Sequence, residues 1–438
     1  MNKTALRFGA FVACLMTFAP AAWAADKPQI DTGDTAWLLM ATVLVLMMNI
    51  PGLALFYAGM VRKKNVLATS VQAFAVAALV TVLWFAVGYS LAFTDGGGLN
   101  GVIGSLSRAF GQGLLGSVHE LAKTVPENVF LMYQATFAVI TPAIIAGAFA
   151  ERMKFSAMMW FMGLWLLFVY VPVAHWVWGG GFLGVAGVLD FAGGLVVHLN
   201  AGIAALVCCV VMGKRHGYGQ EYMAPHNLVL TLIGTSLLWV GWFGFNAGSA
   251  LASGELAGSA MLNTHIAASV AALVWMAIEW ATRGKPSVLG ILTGAVAGLG
   301  MITPAAGYVE PWAALVIGVI AGSVCYWASI VLKNKLGYDD SLDAFGVHGV
   351  GGIVGSILVG VFATRTINDV AKGQPVGLVD GNGGQILTQL YGVLVISVFC
   401  AVVTWVILKI LDAVIGLRVT QDEEVEGLDT ALHGERVQ

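Results

Sequence analysis

Long apolar runs fill most of the chain, and short segments rich in charged residues, glycine or proline separate them. A helix needs about 20 mainly apolar residues to cross a bilayer, and most of these runs reach that length. The pattern predicts an all-α polytopic membrane protein with eleven transmembrane helices. We place them near residues 36–61, 66–94, 126–150, 155–177, 191–213, 227–249, 257–281, 286–306, 312–332, 345–364 and 385–415.

The basic residues between these runs predict the direction in which the chain crosses the membrane. Segments that stay in the cytoplasm are rich in lysine and arginine. Basic residues follow the first, third, fifth, seventh and ninth runs and are missing from the segments after the fourth, sixth and eighth. This alternation predicts an N terminus outside the cell and a C terminus inside it. Residues 417–438 would then form a cytoplasmic tail.

The first 24 residues have the parts of a secretory signal peptide. Lys3 and Arg7 are basic, residues 8–18 are apolar, and Ala22 and Ala24 form a small-residue cleavage site. The apolar part is too short for a membrane span, so cleavage is favoured over an uncleaved first helix. We therefore predict a cleaved leader at 1–24 and a membrane domain over 25–416.

Composition agrees with a membrane protein and argues against several other classes of protein. Only 10% of the residues are charged, against about 25% in a soluble domain. The net charge of −3 gives no indication of nucleic-acid binding. The five cysteines show no CxxC or CxxH spacing, which argues against a disulfide framework and a structural zinc site.

Two short patterns recur at a separation of five runs. The sequence ITPA occupies 140–143 in the third run and 302–305 in the eighth, and an aspartate precedes a histidine at the fifth and tenth runs. Because five is odd, two related halves must cross the membrane in opposite directions. Such repeats place a substrate route at their interface, near the bilayer midplane. The pattern predicts an inverted 5+5 repeat plus a final helix; recurrence by chance in apolar sequence is the alternative.

His198 and His348 are the two histidines that lie deep in apolar runs at related places in this repeat. An ionisable side chain at that depth is costly unless it has a partner. Two neutral imidazoles can satisfy each other, because one N–H donates to the bare nitrogen of the other. We expect the pair to meet beside a lumen. The alternatives are two separate helix–helix hydrogen bonds, or a metal site for which no nearby cysteine or glutamate completes a ligand set.

Asp190 and Asp343 each precede a helix that carries one of these histidines. A carboxylate at that place can accept backbone N–H bonds and stabilise the positive end of a helix. We expect both residues to act as N-caps. Asp190 lies on the predicted outer side, where its charge could also favour a cation in a vestibule.

Aromatic side chains share helix faces with a hydroxyl group. Residues spaced by three, four or seven positions lie on one face of a helix. Aromatic faces and a hydroxyl suit a desolvated monovalent cation, through cation–π attraction and one hydrogen bond. Core packing and an aromatic belt at the membrane interface explain the same spacing, so spacing alone does not decide. The residues concerned are Tyr133, Phe137, Trp178, Trp242, Phe245 and Ser249.

Several motifs in this order resemble the ammonium transporter family (Amt/Mep/Rh), specifically its bacterial Amt proteins. The most specific are DFAGGLVVHLNAG at 190–202, GWFGFNAGSA at 241–250, TPAAGY at 303–308 and DAFGVHGVGG at 343–352. Further support comes from the segments at 50–65, 150–157 and 174–181. The resemblance covers nearly the whole chain after the leader. It implies an ammonium transporter or channel without a cofactor, not an enzyme, in a plasma membrane such as the bacterial inner membrane.

The resemblance also implies a role for each candidate residue. NH4+ would be recruited at an outer aromatic site and lose a proton near a gate formed by Phe137 and Phe245. NH3 would then pass the two histidines, whose imidazoles could carry the proton separately. Position 133 is tyrosine in this chain, and phenylalanine is also seen there in relatives. The implied recruitment residues are Trp178, Ser249, Phe137, Phe245 and Asp190, and the implied pore residues are His198, His348, Trp242, Thr303 and Tyr133.

The same resemblance implies the partners. Ammonium or ammonia, with methylammonium as an analogue, would be the permeant, and the subunits would form a homotrimer with one pore each. Residues 426–435 resemble the tail that receives the nitrogen-regulatory P-II protein, whereas composition alone indicates a solvated acidic tail. Two alternatives stay open: an ammonium sensor that acts through a P-II-type partner with transport secondary, and an intramembrane metal-dependent enzyme.

Overall fold

The computed structural model describes residues 29–437, and apolar helices account for most of them. In this part of the chain, ten helices are long and apolar enough to cross a membrane, and one apolar helix is shorter. In chain order they are α1 Thr32–Met60, α2 Lys63–Phe93, α3 Glu127–Phe149, α4 Phe155–Val185, α5 Gly194–Met212, α6 Leu228–Gly248, α7 Glu255–Arg283, α8 Val288–Ile302, α9 Pro311–Leu336, α10 Phe345–Phe362 and α11 Gly384–Ile415.

These helices confirm the predicted fold class, an all-α multi-pass membrane protein. Each predicted run coincides with one helix, and most ends agree within a few residues. The shorter helix is α8, which has 15 residues and is followed by a series of turns rather than by more helix. The count of eleven spans, the orientation and the boundary between membrane domain and tail stay predictions. The predicted signal peptide at 1–24 lies outside the described residues.

Small residues bring α5 and α10, the two helices that carry the histidines, into backbone contact. A Cβ on Gly202 would collide with the Cα of Gly349. A Cβ on Gly352 would lie 2.5 Å from the backbone nitrogen of Leu199 and 2.7 Å from the carbonyl oxygen of Gly194. Close approach of this kind is typical of helix packing inside membranes. Glycine at the crossing therefore sets how near the two histidine side chains can come.

A β-hairpin follows α2 on one face of the protein, which we call the hairpin face. Strands β1 Val118–His119 and β2 Ala122–Pro126 pair antiparallel. The Nε2 atom of His119 lies 2.9 Å from the carbonyl oxygen of Phe93, and its Nδ1 atom accepts the N–H of Leu121 at 3.2 Å. A neutral imidazole satisfies both bonds, with one nitrogen as donor and the other as acceptor. The ring thus ties the tip of the hairpin to the end of α2.

The C-terminal segment packs against the opposite face, which we call the tail face, as α12 Gln421–Glu426 and α13 Leu428–His433. The buried carboxylate of Glu424 accepts the N–H of His216, in the loop after α5, at 2.6 Å. The buried carboxylate of Asp429 accepts two backbone N–H groups at the start of α2, at 3.0 and 2.8 Å. Composition suggested a solvated tail, and that interpretation is wrong because these two acidic side chains are buried and accept backbone N–H groups of other segments.

Buried ion pairs join the loops of the tail face. Arg215 contacts Asp339 at 2.8 Å and Glu151 at 3.1 Å, and Arg62 contacts Glu151 at 2.9 Å. Burial by itself would raise the pKa of Asp339, but the hydrogen bonds and charge of Arg215 outweigh it and lower that pKa. Breaking a buried pair by removing one partner is strongly destabilising. The loops after α1, α3, α5 and α9 are therefore held in one arrangement.

Candidate functional site

A cavity of about 380 Å³ on the hairpin face contains most of the residues predicted for recruitment. Trp178, Ser249, Phe137 and Asp190 line it, and we call it the vestibule. The fifth predicted residue, Phe245, packs against Phe137 behind the cavity wall. None of the described residues that line the vestibule is a lysine or an arginine. A cation would therefore meet no positive side chain on its wall.

The indole of Trp178 is fixed at the end of α4 by contacts on two sides. Its Nε1–H donates to the backbone carbonyl oxygen of Asp190 at 2.9 Å. The ring meets Phe137 edge to face, with centroids 6.0 Å apart and an interplanar angle of 85°. Such arrangements leave an aromatic face free to attract a cation. The tryptophan, with the Ser249 hydroxyl, gives the vestibule the two features that the sequence suggested.

Two phenylalanine rings close the inner end of the vestibule. The centroids of Phe137 and Phe245 are 4.3 Å apart, with an interplanar angle of 41°, and both side chains are almost fully buried. Phe137 lines the vestibule, whereas Phe245 lines a smaller cavity on its other side. The predicted phenylalanine pair thus lies between the two spaces.

His198 and His348 meet directly beside the smaller cavity. Their Nδ1 atoms are 3.1 Å apart, and the two rings are nearly parallel, with centroids 5.2 Å apart. Since the two nitrogens share one hydrogen bond, one imidazole donates and the other accepts. The Nε2 atom of His198 has no partner among the described residues and is free for a permeant. The expectation of one paired site, rather than two separate helix–helix bonds, agrees with this geometry.

Trp242 covers the histidine pair, and Thr303 holds Trp242 in place. The indole stacks on His198 with centroids 5.3 Å apart and an angle of 18°. Its Nε1–H donates to the Thr303 hydroxyl at 2.9 Å, and that hydroxyl donates to the carbonyl oxygen of Leu299. Trp242 lines the cavity, whereas Thr303 stands one hydrogen bond behind it. Tyr133 is also fully buried and lies behind the phenylalanine pair.

The space around the histidines is narrow and apolar. Two small cavities adjoin the histidine pair. In each, the volume open to the centre of a water-sized molecule is about 10 Å³. A volume of that size holds about one water molecule. Side chains such as Ile140 and Leu238 line the cavity next to Phe245. Tyr57 and Leu342 line the other cavity. No Asp, Glu, Lys or Arg is among the described lining residues, so a bare ion would be poorly solvated there.

Asp190 caps α5 with both oxygens of its carboxylate. It accepts the backbone N–H groups of the four residues 193–196, at 2.9, 2.7, 2.8 and 3.1 Å. The helix then opens with a π-helical turn, Gly194–Leu199, that contains His198. The predicted capping role of Asp190 therefore holds. Its side chain is 5% exposed and still reaches the vestibule wall.

The capping role predicted for Asp343 is wrong, because Asp340 performs it. Asp340 accepts the N–H groups of Ala344 and Phe345 at 3.1 and 2.8 Å. Asp343 instead has a left-handed backbone with φ of 59° and pairs with Lys333. A residue in that conformation lies outside the helix, and its carboxylate turns to the lysine. Proximity in sequence to the histidine misled the assignment.

Sequence reasoning missed two polar residues of the site. Gln134 lines the vestibule, and its buried Oε1 atom has no partner among the described residues. An amide inside the otherwise apolar third run was the available signal, because polar groups at that depth usually have a function. Asp340 could have been found by spacing, since it precedes His348 by eight residues, as Asp190 precedes His198. Within residues 29–437, no group of three His, Cys, Asp or Glu could hold a metal ion.

Comparison with known proteins decides what these features belong to. The model of the ammonium transporter family matches residues 36–438. This chain belongs to the ammonium transporter family. It is 48% identical over 407 residues to the ammonium transporter of Bacillus subtilis, covering 93% of this chain and 98% of that protein. It is 50% identical over 413 residues to the ammonium transporter of Aquifex aeolicus, covering 94% and 95%.

Solved structures give the same family. The crystal structure of Saccharomyces cerevisiae Mep2 is similar at a TM-score of 0.84 and 37% identity, covering 90% of this chain and 89% of that one. A structure described as a sensor Amt protein is similar at a TM-score of 0.84 and 29% identity, covering 92% and 98%. Family membership makes the chain a membrane transporter or channel and excludes the alternative of a metal-dependent enzyme.

Proposed function

We propose that this chain carries ammonium across the membrane by separating its proton from NH3 at the phenylalanine pair and the histidine pair. The contact that carries the proposal is the 3.1 Å approach of His198 and His348 beside a space for about one water-sized molecule. A buried histidine pair next to an apolar lumen suits a small neutral permeant. The imidazoles can also accept and release a proton.

Recruitment of NH4+ would take place in the vestibule. The Trp178 face supplies cation–π attraction, and the Ser249 oxygen supplies a hydrogen-bond acceptor. The Asp190 carboxylate adds a negative charge near the wall, although four backbone N–H groups already occupy its oxygens. We assign recruitment to these three residues together with Phe137 and Phe245. Methylammonium, which keeps the charge and three N–H groups, is the natural analogue.

Loss of the proton explains selectivity against potassium. Both ions are monovalent and of similar size, but potassium has no proton to lose. A bare ion in the apolar space below Phe245 lacks the ligands that replace its hydration shell. NH3 avoids this cost, and Trp242, His198 and His348 then define its path with Thr303 in support. The proton would travel separately along the two imidazoles.

The setting of this transport is part of the proposal. We place the chain in the inner membrane of a bacterium with the hairpin face outward, after cleavage of residues 1–24. The alternation of basic segments supports that orientation. We also propose a homotrimer with one pore per subunit. Cross-linking of purified protein in detergent, read as the mass of the largest species, tests the trimer; a monomer at all cross-linker doses would contradict it.

Replacement of both histidines tests the mechanism. Proteoliposomes with the His198→Leu/His348→Leu variant should give no selective ammonium current, because no group remains to carry the proton. The variant His265→Leu is the matched control, since His265 lies exposed on α7, away from the lumen. It should conduct as the unchanged protein does. A double variant that folds, conducts ammonium and still excludes potassium would refute proton transfer through the pair.

A second function is favoured by one observation, the similarity to a sensor Amt protein. In this alternative the chain reports ammonium through a P-II-type protein at its tail, and transport is secondary. The tail motif around Glu426–Thr430 and its docking on the tail face support such a partner. Pull-down of purified P-II protein by the full chain, lost on deletion of 417–438, is the expected result. No ammonium current together with intact pull-down would favour the sensor over the transporter.

A further inference from the structure

The end of α6 leaves one backbone carbonyl without its helical partner. In a continuing helix the N–H of Ser249 would donate to the carbonyl oxygen of Phe245, four residues earlier. The helix ends at Gly248, and the N–H of Ser249 turns instead to the carbonyl oxygen of Asn246 at 3.2 Å. Unpaired carbonyls at a helix end need other donors when they are buried. The Phe245 carbonyl therefore depends on side chains.

Two hydroxyl groups fill this gap. The Ser249 hydroxyl donates to the Phe245 carbonyl oxygen at 2.9 Å. The Tyr133 hydroxyl, from α3, lies 3.0 Å from the same oxygen and 3.0 Å from the carbonyl oxygen of Gly244. Tyr133 is fully buried, so its hydroxyl has no contact with solvent. A Cβ at Gly248 would lie 2.6 Å from the Tyr133 Oη atom, so the helix can close on this hydroxyl because position 248 is glycine.

The hydrogen bonds of these two hydroxyl groups determine what Ser249 presents to the vestibule. Each hydroxyl carries one proton and lies within hydrogen-bond distance of the Phe245 carbonyl oxygen, which can only accept. The Tyr133 and Ser249 oxygens are 3.3 Å apart, so the phenol also occupies the space into which the serine hydroxyl could turn. Ser249 lines the vestibule and thus offers it lone pairs rather than a proton. Lone pairs attract the N–H groups of a cation, whereas a proton pointing outward would repel them.

We infer that Tyr133 is a positioning residue of the recruitment site, whose hydroxyl holds Ser249 in the orientation that accepts a hydrogen bond from an ammonium-type cation. The inference rests on the proposed function. Tyr133 itself does not touch the cation, because it lies behind the wall. Its effect is therefore on binding and not on the passage of NH3 beyond the phenylalanine pair. The sequence predicted Tyr133 as a pore residue, and the structure gives it this more specific task.

The Tyr133→Phe variant removes the hydroxyl and keeps the ring. The space beside the Ser249 oxygen is then vacant, and the serine hydroxyl gains the freedom to leave the Phe245 carbonyl oxygen. A net hydrogen bond of ordinary strength corresponds to about a fivefold change in an equilibrium constant. We expect the ammonium concentration for half-maximal current to rise about fivefold on that basis, with an unchanged maximal current. A purely structural role would instead lower the maximal current.

The decisive measurement is a double-mutant cycle on ammonium current in proteoliposomes. Ser249→Ala should raise the ammonium concentration for half-maximal current. Adding Tyr133→Phe to this variant should not raise that concentration further, because both changes remove the same acceptor. Tyr170→Phe is the matched control, since Tyr170 is fully buried and its hydroxyl has no partner among the described residues. It should leave half-saturation unchanged.

Four results separate the possible failures. Independent, additive effects of Tyr133→Phe and Ser249→Ala would overturn the inference, as would a loss of maximal current with unchanged half-saturation. Unchanged half-saturation in Ser249→Ala would also overturn it, because Tyr133 could not then act through that serine. Absence of any saturable ammonium current in the unchanged protein would refute the proposed function itself. The expected result is the non-additive pair with an unaffected control.

Discussion

The substitution Asp190→Asn tests whether the capped end of α5 supports the histidine site. Asparagine keeps one oxygen and replaces the other with an NH2 group. The present carboxylate uses one oxygen for the N–H groups of Gly193 and Gly194 and the other for those of Leu195 and Val196. After the change, two of these four N–H groups face a donor instead of an acceptor. The helix also loses a negative charge at its positive end.

The cost follows from these contacts. A hydrogen bond to a charged group contributes about 1.5–3 kcal/mol, so two lost bonds amount to about 3–6 kcal/mol. The lost charge at the helix end adds about 0.3–1 kcal/mol. Because His198 lies in the first turns of the same helix, part of this energy would be released by movement of its imidazole away from His348. We expect both lower stability and loss of ammonium current.

Thermal unfolding of purified protein and current in proteoliposomes measure the two effects. Asp95→Asn is the control, because it removes the same charge from an exposed site on the hairpin face without a cap on α5. It should unfold at the same temperature as the unchanged protein and conduct normally. If Asp190→Asn unfolds at an unchanged temperature, the capping argument is wrong. If only the ammonium concentration for half-maximal current increased, Asp190 would act only through its charge in the vestibule.

Three further predictions concern other parts of the fold. Gly202→Ala should destabilise the protein by about 1–3 kcal/mol in a thermal melt and abolish current, because its Cβ would push against Gly349; unchanged current would show that this contact does not position the histidines. Burial lowers the pKa of His119, so the hairpin should lose stability as the pH falls below about 6.5, where the unfolded state binds more protons. The protection factor of the Leu121 amide against hydrogen exchange should therefore fall, and a protection factor that does not change with pH would contradict it. Asp429→Asn should weaken the cap on α2 and expose the tail, measured as faster limited proteolysis; equal rates would exclude the cap as the main anchor.

Much of the fold was predictable because a bilayer imposes length and polarity on each helix. The eleven runs coincide with the eleven apolar helices, and Trp178, Phe137 and Ser249 line one cavity as expected. The hairpin after α2 was not predictable, since its strands are short and have no alternating pattern. The docked tail was missed for a related reason: Glu424 and Asp429 are buried where they accept backbone N–H groups far away in sequence. Contacts of that kind leave no local periodicity.

The aspartates that precede the histidines carry the most information about the repeat. Proximity in sequence suggested that Asp343 belongs with His348. The residue that caps α10 is instead Asp340, which lies eight residues before His348, just as Asp190 lies eight residues before His198. Each histidine then lies in a π-helical turn that opens a helix with a capped positive end. The same spacing, a capping aspartate and a π-helical turn at both histidines are harder to obtain by chance than a shared pair of residues. They strengthen the prediction of two inverted halves.

This arrangement also bears on how charge could move. The two caps place a carboxylate at the start of α5, on the vestibule side, and another at the start of α10, toward the tail face. Each is engaged by backbone N–H groups, so neither is available to bind a cation inside the narrow space between them. The described lining of that space contains no charged side chain. In the proposed mechanism a positive charge would cross this space on groups that gain and lose protons, and His198 and His348 are in contact there.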